Sequence, residues 1–168
     1  MSEPVFIAAS IFILLLGNGF FSGSEIAIIS ARRSRVEGLI EDGSRAASRV
    51  KALQDNMDQF LATVQIGVTL CGTLAGVLGG VLASRHIEPA LAGAALSRFV
   101  PPAIVASALV GIAIVYVELV LGELVPKALA LRYTETIALL VAAPFRLMAR
   151  TSRWLVDFLA ASTRGIVR

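Results

Sequence analysis

The chain has 168 residues, 57% of them hydrophobic and 16% charged, with a mean hydropathy of +0.81. That is far more apolar than a soluble domain of this length needs, so the chain reads as an integral membrane protein. The net charge of +3 and pI of 9.6 do not argue for nucleic acid, because the basic residues are distributed as membrane topology dictates.

A bilayer core of roughly 30 Å takes about 20 helical residues. From Pro4 to Ala31 the only charge is Glu25, and neither Phe60–Ser84 nor Phe99–Val117 carries any. Spans are predicted at about 4–30, 60–84 and 100–124 within a transmembrane domain covering 1–150. The first follows Met1-Ser2-Glu3, without the basic start and short apolar core of a cleaved signal, and is expected to stay in the mature protein. Along it Asn18, Ser22 and Glu25 fall at i, i+4 and i+7, a polar stripe on one helix face. The stripe suits either interhelical hydrogen bonding or a cation path. Ser24 points elsewhere, as a packing residue.

Polar residues from Ala31 to Asn56 predict two short cytoplasmic helices, at about 32–56, broken at Asp42-Gly43. The second span has Thr63, Gln65, Thr69 and Thr73 as polar side chains, and threonines in membrane helices commonly bond their own backbone. Gly72, Gly76 and Gly80 recur at four-residue steps, and Gly19 and Gly23 repeat that spacing in span one, so that another helix backbone can approach closely. Packing within a subunit, a subunit contact and the lining of an ion path all remain open readings. Cys71 is alone, a packing residue without an internal disulfide partner. His86, in the external loop from Arg85 to Arg98, reads as a solvated residue.

The third span ends in Glu118-Leu-Val-Leu-Gly-Glu-Leu-Val-Pro126-Lys127. An ionisable group inside the membrane costs roughly 2.5–3.5 kcal/mol on insertion scales and therefore faces a partner, a cavity or an ion. If an α-helix runs through Pro126, which lacks an N–H, the carbonyl of Gly122 loses its donor. Glu123 then stands beside a bare carbonyl, which suits a hard cation; the alternative is an ion pair with Lys127 at i+4. Glu118 lies deeper, in a hydrogen-bonding or charge-balancing role. Beyond it, Pro144 and Arg146 cut short the apolar run Ile137–Ala143. The segment at about 134–150 therefore reads as a juxtamembrane amphipathic helix, with Arg146, Arg150 and Arg153 near lipid headgroups. A fourth span is the competing reading. Residues 151–168 begin a cytoplasmic helical segment.

Six of the fifteen lysines and arginines lie between Arg32 and Lys51, two between spans two and three, and seven from Lys127 onward. The positive-inside rule then puts the N-terminus outside and the C-terminus in the cytoplasm, with basic faces toward anionic lipid. The expected fold is an all-α membrane protein of three transmembrane helices plus juxtamembrane amphipathic helices. If the spans pack together, Ser22, Thr73, Gly122 and Glu123 offer hydroxyl, carbonyl and carboxylate oxygens to one centre. Such a set fits Mg²⁺, Ca²⁺ or Na⁺ and disfavours zinc or copper.

Three segments, Asn18-Gly-Phe-Phe-Ser-Gly-Ser-Glu25, Gln65-Ile-Gly-Val-Thr-Leu-Cys-Gly-Thr73 and Gly122-Glu-Leu-Val-Pro-Lys-Ala128, together resemble the membrane domain of the cyclin M (CNNM)/CorC family, over nearly the whole chain. The resemblance implies a magnesium transporter of the cell membrane, working as a homodimer and mostly regarded as an exporter, with Na⁺ proposed as the coupling ion. It implies three spans and a belt of juxtamembrane helices per subunit in an inward-facing arrangement. The dehydrated Mg²⁺ site it implies falls on Ser22, on Gly72 and Thr73, and on Glu123 with the backbone of Gly122. Eukaryotic members have Asn where this chain has Gly72, which leaves that ligand to a backbone carbonyl or another residue. The family continues into a cytosolic CBS-domain pair that binds ATP and a smaller C-terminal domain, so nucleotide regulation is expected outside this segment. The competing reading is a membrane-anchored Mg²⁺ sensor or scaffold that regulates another transporter. An enzyme is not expected, since the sequence has no His-Glu-x-x-His and its single histidine lies outside the spans.

Overall fold

A computed structural model describes residues 3–93, 99–151 and 158. Arg98, Arg153, the side chain of Arg150 and nearly all of the predicted 151–168 segment lie outside the described residues. The described residues are helical: α1 (Glu3–Ser30), α2 (Arg33–Glu41), α3 (Arg45–Asp55), α4 (Met57–Leu82), α5 (Glu88–Leu91), α6 (Pro102–Val117), α7 (Val125–Arg132) and α8 (Thr134–Thr151). Two π-turns, Ala83–Ile87 and Glu118–Leu124, join α4 to α5 and α6 to α7. Three continuous helical stretches among the described residues, Glu3–Ser30, Met57–Leu91 and Pro102–Arg132, are long and apolar enough to cross a membrane. In hydrocarbon such helices are favoured because they satisfy their backbone polar groups internally.

The chain divides into two compact units, Met1–Phe20 with Val68–Pro126 and Phe21–Gly67 with Lys127–Arg168. In the first, Ile7, Ile11 and Leu15 repeat every fourth residue of α1 and pack with Ala75, Leu78 and Ile114. Glycine permits the close approaches here: a Cβ on Gly79 would overlap Ile114, and one on Gly17 would lie 3.1 Å from Cys71 Sγ. Gly76 and Gly80, in contrast, have nothing within 4 Å where a Cβ would stand. The glycine ladder of α4 is thus filled at one end and open at the other. Glu3 pairs with Arg85, tying the start of α1 to the first π-turn.

The second unit is built on Phe60 and Phe145, which are fully buried with ring centroids 4.7 Å apart. Phe21 meets Phe145 edge-on at 6.0 Å, a favoured aromatic geometry. Gly67 lies against the Phe21 ring so closely that any side chain there would overlap it. The break between α2 and α3 follows from local chemistry. Gly43 takes φ 85°, and the amides of Gly43 and Ser44 bond the carbonyls of Ile40 and Leu39, each at 2.9 Å. This pair of bonds is a Schellman motif, whose left-handed position glycine fills without Cβ strain. Ser44 Oγ then caps α3 by accepting from the Ala47 amide at 3.2 Å. Gln54, buried, donates to the carbonyls of Ile28 and Ala31 at 3.0 and 2.8 Å, satisfying acceptors that the C-terminal end of α1 would otherwise leave orphaned. Exposed pairs join Arg35 to Glu135 at 3.1 Å and Lys51 to Glu37 at 2.9 Å. The Lys51 hydrogen bond and charge hold the Glu37 carboxyl below its ordinary value. Thr63 donates to the Gln59 carbonyl at 2.8 Å, the back-bonding expected of a threonine in a membrane helix.

Candidate cation site

The third apolar helix does not run as an unbroken α-helix. Between α6 and α7 the Val125 amide reaches back to the Val120 carbonyl, an i→i+5 bond, and this wider π-turn is a rare feature that frequently marks functional sites. It has a geometric consequence. At 3.6 residues per turn, residue i+5 lies roughly 140° around the axis from residue i, whereas i→i+5 closure brings it back toward the same side. Glu118 opens this turn and Glu123, five residues on, lies within it. The π register thus gathers two carboxylates that an α-helix would separate.

Pro126 follows directly, and its missing N–H acts differently in the two registers. Counting back, an α register deprives Gly122 of its donor and a π register deprives Leu121. An unbroken α-helix would free Gly122 alone; the observed register adds Leu121. The Pro126 ring packs on α1, where a Cβ on Gly19 would stand 3.0 Å from it and 3.4 Å from the Leu121 carbonyl oxygen.

Polar groups of the first unit converge on this turn. Asn18, only 2% exposed, donates from Nδ2 to Glu118 Oε1 at 3.4 Å. Its amide also lies against Gly122, where a Cβ would come 3.0 Å from Nδ2. The Oδ1 of Asn18 is buried and has no hydrogen-bond partner among the described residues, an unsatisfied acceptor of the kind that native structures keep rare. The Glu118 carboxylate lies over Gly72 of α4, so that any side chain at position 72 would collide with Oε1. Asn18, Gly72, Glu118 and Gly122 therefore form one polar cluster at the π-turn.

Of the other residues named from sequence, Glu123 is half-buried and Thr73 exposed. Ser22, 2% exposed, and the partly buried Glu25 belong to the second unit, and Ser22 follows Asn18 by one turn of α1. Among the described residues no three of His, Cys, Asp and Glu come together to hold a metal, so a cation here would draw on amide, hydroxyl and backbone oxygens as well as carboxylates. His86 differs from the solvated residue expected: it sits half-buried in the first π-turn, with Nδ1 buried and unpartnered among the described residues. Gln54, on α3 and buried against the end of α1, gives no sequence signal beyond its place in a polar segment.

Residues 9–168 match the family model of the cyclin M transmembrane N-terminal domain. The chain belongs to the cyclin M transmembrane domain family. It is 42% identical to the UPF0053 protein sll0260 of Synechocystis over 94% of its length, covering 35% of that protein. It is 34% identical to the UPF0053 protein YhdT of Bacillus subtilis over 80% of its length and 29% of that protein. To the uncharacterized protein Rv1841c of Mycobacterium tuberculosis it is 35% identical over 93% of its length and 44% of that protein. The chain thus spans about a third of the length of the curated relatives it matches. As a cyclin M membrane domain with three apolar helices, it is a multi-pass protein of the cell membrane.

Proposed function

We propose that this cyclin M domain is the translocating core of a divalent-cation transporter with Mg²⁺ as cargo. The observation that carries the reading is the π-turn Glu118–Leu124, where a membrane-embedded carboxylate follows a glycine and precedes a proline that strips a backbone carbonyl of its donor. Mg²⁺ demands hard oxygen ligands and sheds its water reluctantly, so a dehydrated site needs fixed oxygens and negative charge together. Glu123 supplies the principal charge. Gly72 and Gly122 are proposed to offer backbone carbonyls, and Thr73 a hydroxyl. The protein works as a homodimer with its N-terminus outside, exports Mg²⁺ against entering Na⁺, and takes its nucleotide control from a cytosolic CBS pair in the full-length protein.

The test is Mg²⁺ flux through purified protein in proteoliposomes, with and without an imposed Na⁺ gradient. Wild type is expected to move Mg²⁺ and Glu123→Ala to lose at least about 90% of the flux, as removal of the charged ligand of a dehydrated ion requires. Normal flux in Glu123→Ala would defeat the site. Mg²⁺ binding without flux in wild type would make the protein a sensor instead of a transporter.

A further inference from the structure

We propose that Glu118 is a second anionic ligand of the same cation, oriented by Asn18, so that two carboxylates and not one neutralise the divalent charge. This deepens the Mg²⁺ reading and rests on it. One carboxylate leaves a dehydrated divalent ion with an uncompensated positive charge in a low-dielectric region, an arrangement that is strongly unfavourable unless a further charge or ligand compensates. The π register supplies that charge, because it returns residue 118 to the side of the turn that carries Glu123.

Three further features of the first unit serve this role. Gly72 has no Cβ, and the space a side chain would enter is occupied by Glu118 Oε1, which sets a carboxylate oxygen against the backbone of a proposed ligand residue. Asn18 Nδ2 donates to that oxygen at 3.4 Å and so orients the carboxylate. Asn18 Oδ1, in a side chain 98% buried by its 2% exposure, has no partner among the described residues. A buried amide oxygen next to a carboxylate is a ligand of the type that hard cations take, and its occupation would satisfy the orphaned acceptor. Two carboxylates also set the charge preference: a divalent ion is balanced, whereas a monovalent ion leaves the site negative.

The experiment is calorimetric titration of MgCl₂ into the purified chain in lipid nanodiscs, with wild type, Glu123→Gln, Glu118→Gln and Glu118→Asp. Glu118→Gln keeps the shape and the Asn18 hydrogen bond but removes the charge; Glu118→Asp keeps the charge and shortens the reach. A ligand role predicts that Glu118→Gln weakens Mg²⁺ at least about 10-fold, the lower end of what even outer-shell substitutions cost a metal site, and that Glu118→Asp retains more affinity than Glu118→Gln. Melting of each variant in EDTA separates folding from binding, and the same order in the Mg²⁺-induced rise in melting temperature supports the assignment. The reverse order would mean that Glu118 matters for packing alone and would overturn the proposal. Loss of binding in Glu123→Gln with wild-type affinity in Glu118→Gln would overturn it while leaving the Mg²⁺ site standing. Wild-type affinity in Glu123→Gln would remove the site itself.

Discussion

Gly72 shows how one residue decides what its neighbours can do. Two effects hold Glu118 in place, and their magnitudes differ. The Asn18 hydrogen bond is long at 3.4 Å, and side-chain hydrogen bonds within membranes are worth about 0.6 kcal/mol on average. Overpacking a close contact costs about 1–3 kcal/mol, and a Cβ at position 72 would overlap the Glu118 carboxylate. The steric term wins. Gly72→Ala is therefore expected to destabilise the detergent-solubilised protein by about 1–3 kcal/mol, read as a lower melting temperature, whereas a midpoint unchanged from wild type would show that Glu118 moves aside freely. At this scale the sequence was partly legible. Asn18 and Glu118 were recognisable because a polar side chain in an apolar helix is conspicuous. That they meet was not, because their contact joins residues a hundred positions apart. Gln54 was hidden for a different reason: in a polar segment nothing marks one amide as the group that closes the end of a neighbouring helix.

Among the elements, two glycines, one inside α2 and one just beyond its C-terminus, have opposite roles. Gly43 sits at φ 85°, where an L-residue pays roughly 1–2 kcal/mol. Gly38 lies inside α2 with open space where a Cβ would stand, so alanine there gains about 0.5–1 kcal/mol. Gly43→Ala should lower the thermal midpoint and Gly38→Ala should raise it; shifts of the same sign would contradict the capping account. The helix break itself was legible, since Asp42-Gly43 between two amphipathic stretches is turn chemistry. The second π-turn was not. Sixteen uncharged residues of α6 run into Glu118 with no periodicity from which to read a register, and Gly122 and Pro126 are compatible with either. The expectation of one bare carbonyl followed from assuming 3.6 residues per turn, and the i→i+5 bond changes which carbonyl Pro126 exposes.

For the whole molecule, three apolar stretches were plain from the run lengths, because a charge-free segment of spanning length has few other uses. Burial was not legible. Only 6% of the apolar window in Pro102–Arg132 is buried within the chain, and Gly76 and Gly80 face open space. Small residues at this spacing let another helix backbone approach closely in a membrane. The most direct measurement is an anomalous-scattering map of crystals grown with Mn²⁺ in place of Mg²⁺. A peak is expected at the π-turn, within roughly 2.2 Å of a Glu123 carboxylate oxygen, as octahedral coordination by hard oxygens requires. A map with peaks at surface carboxylates and none beside Glu123 would contradict it.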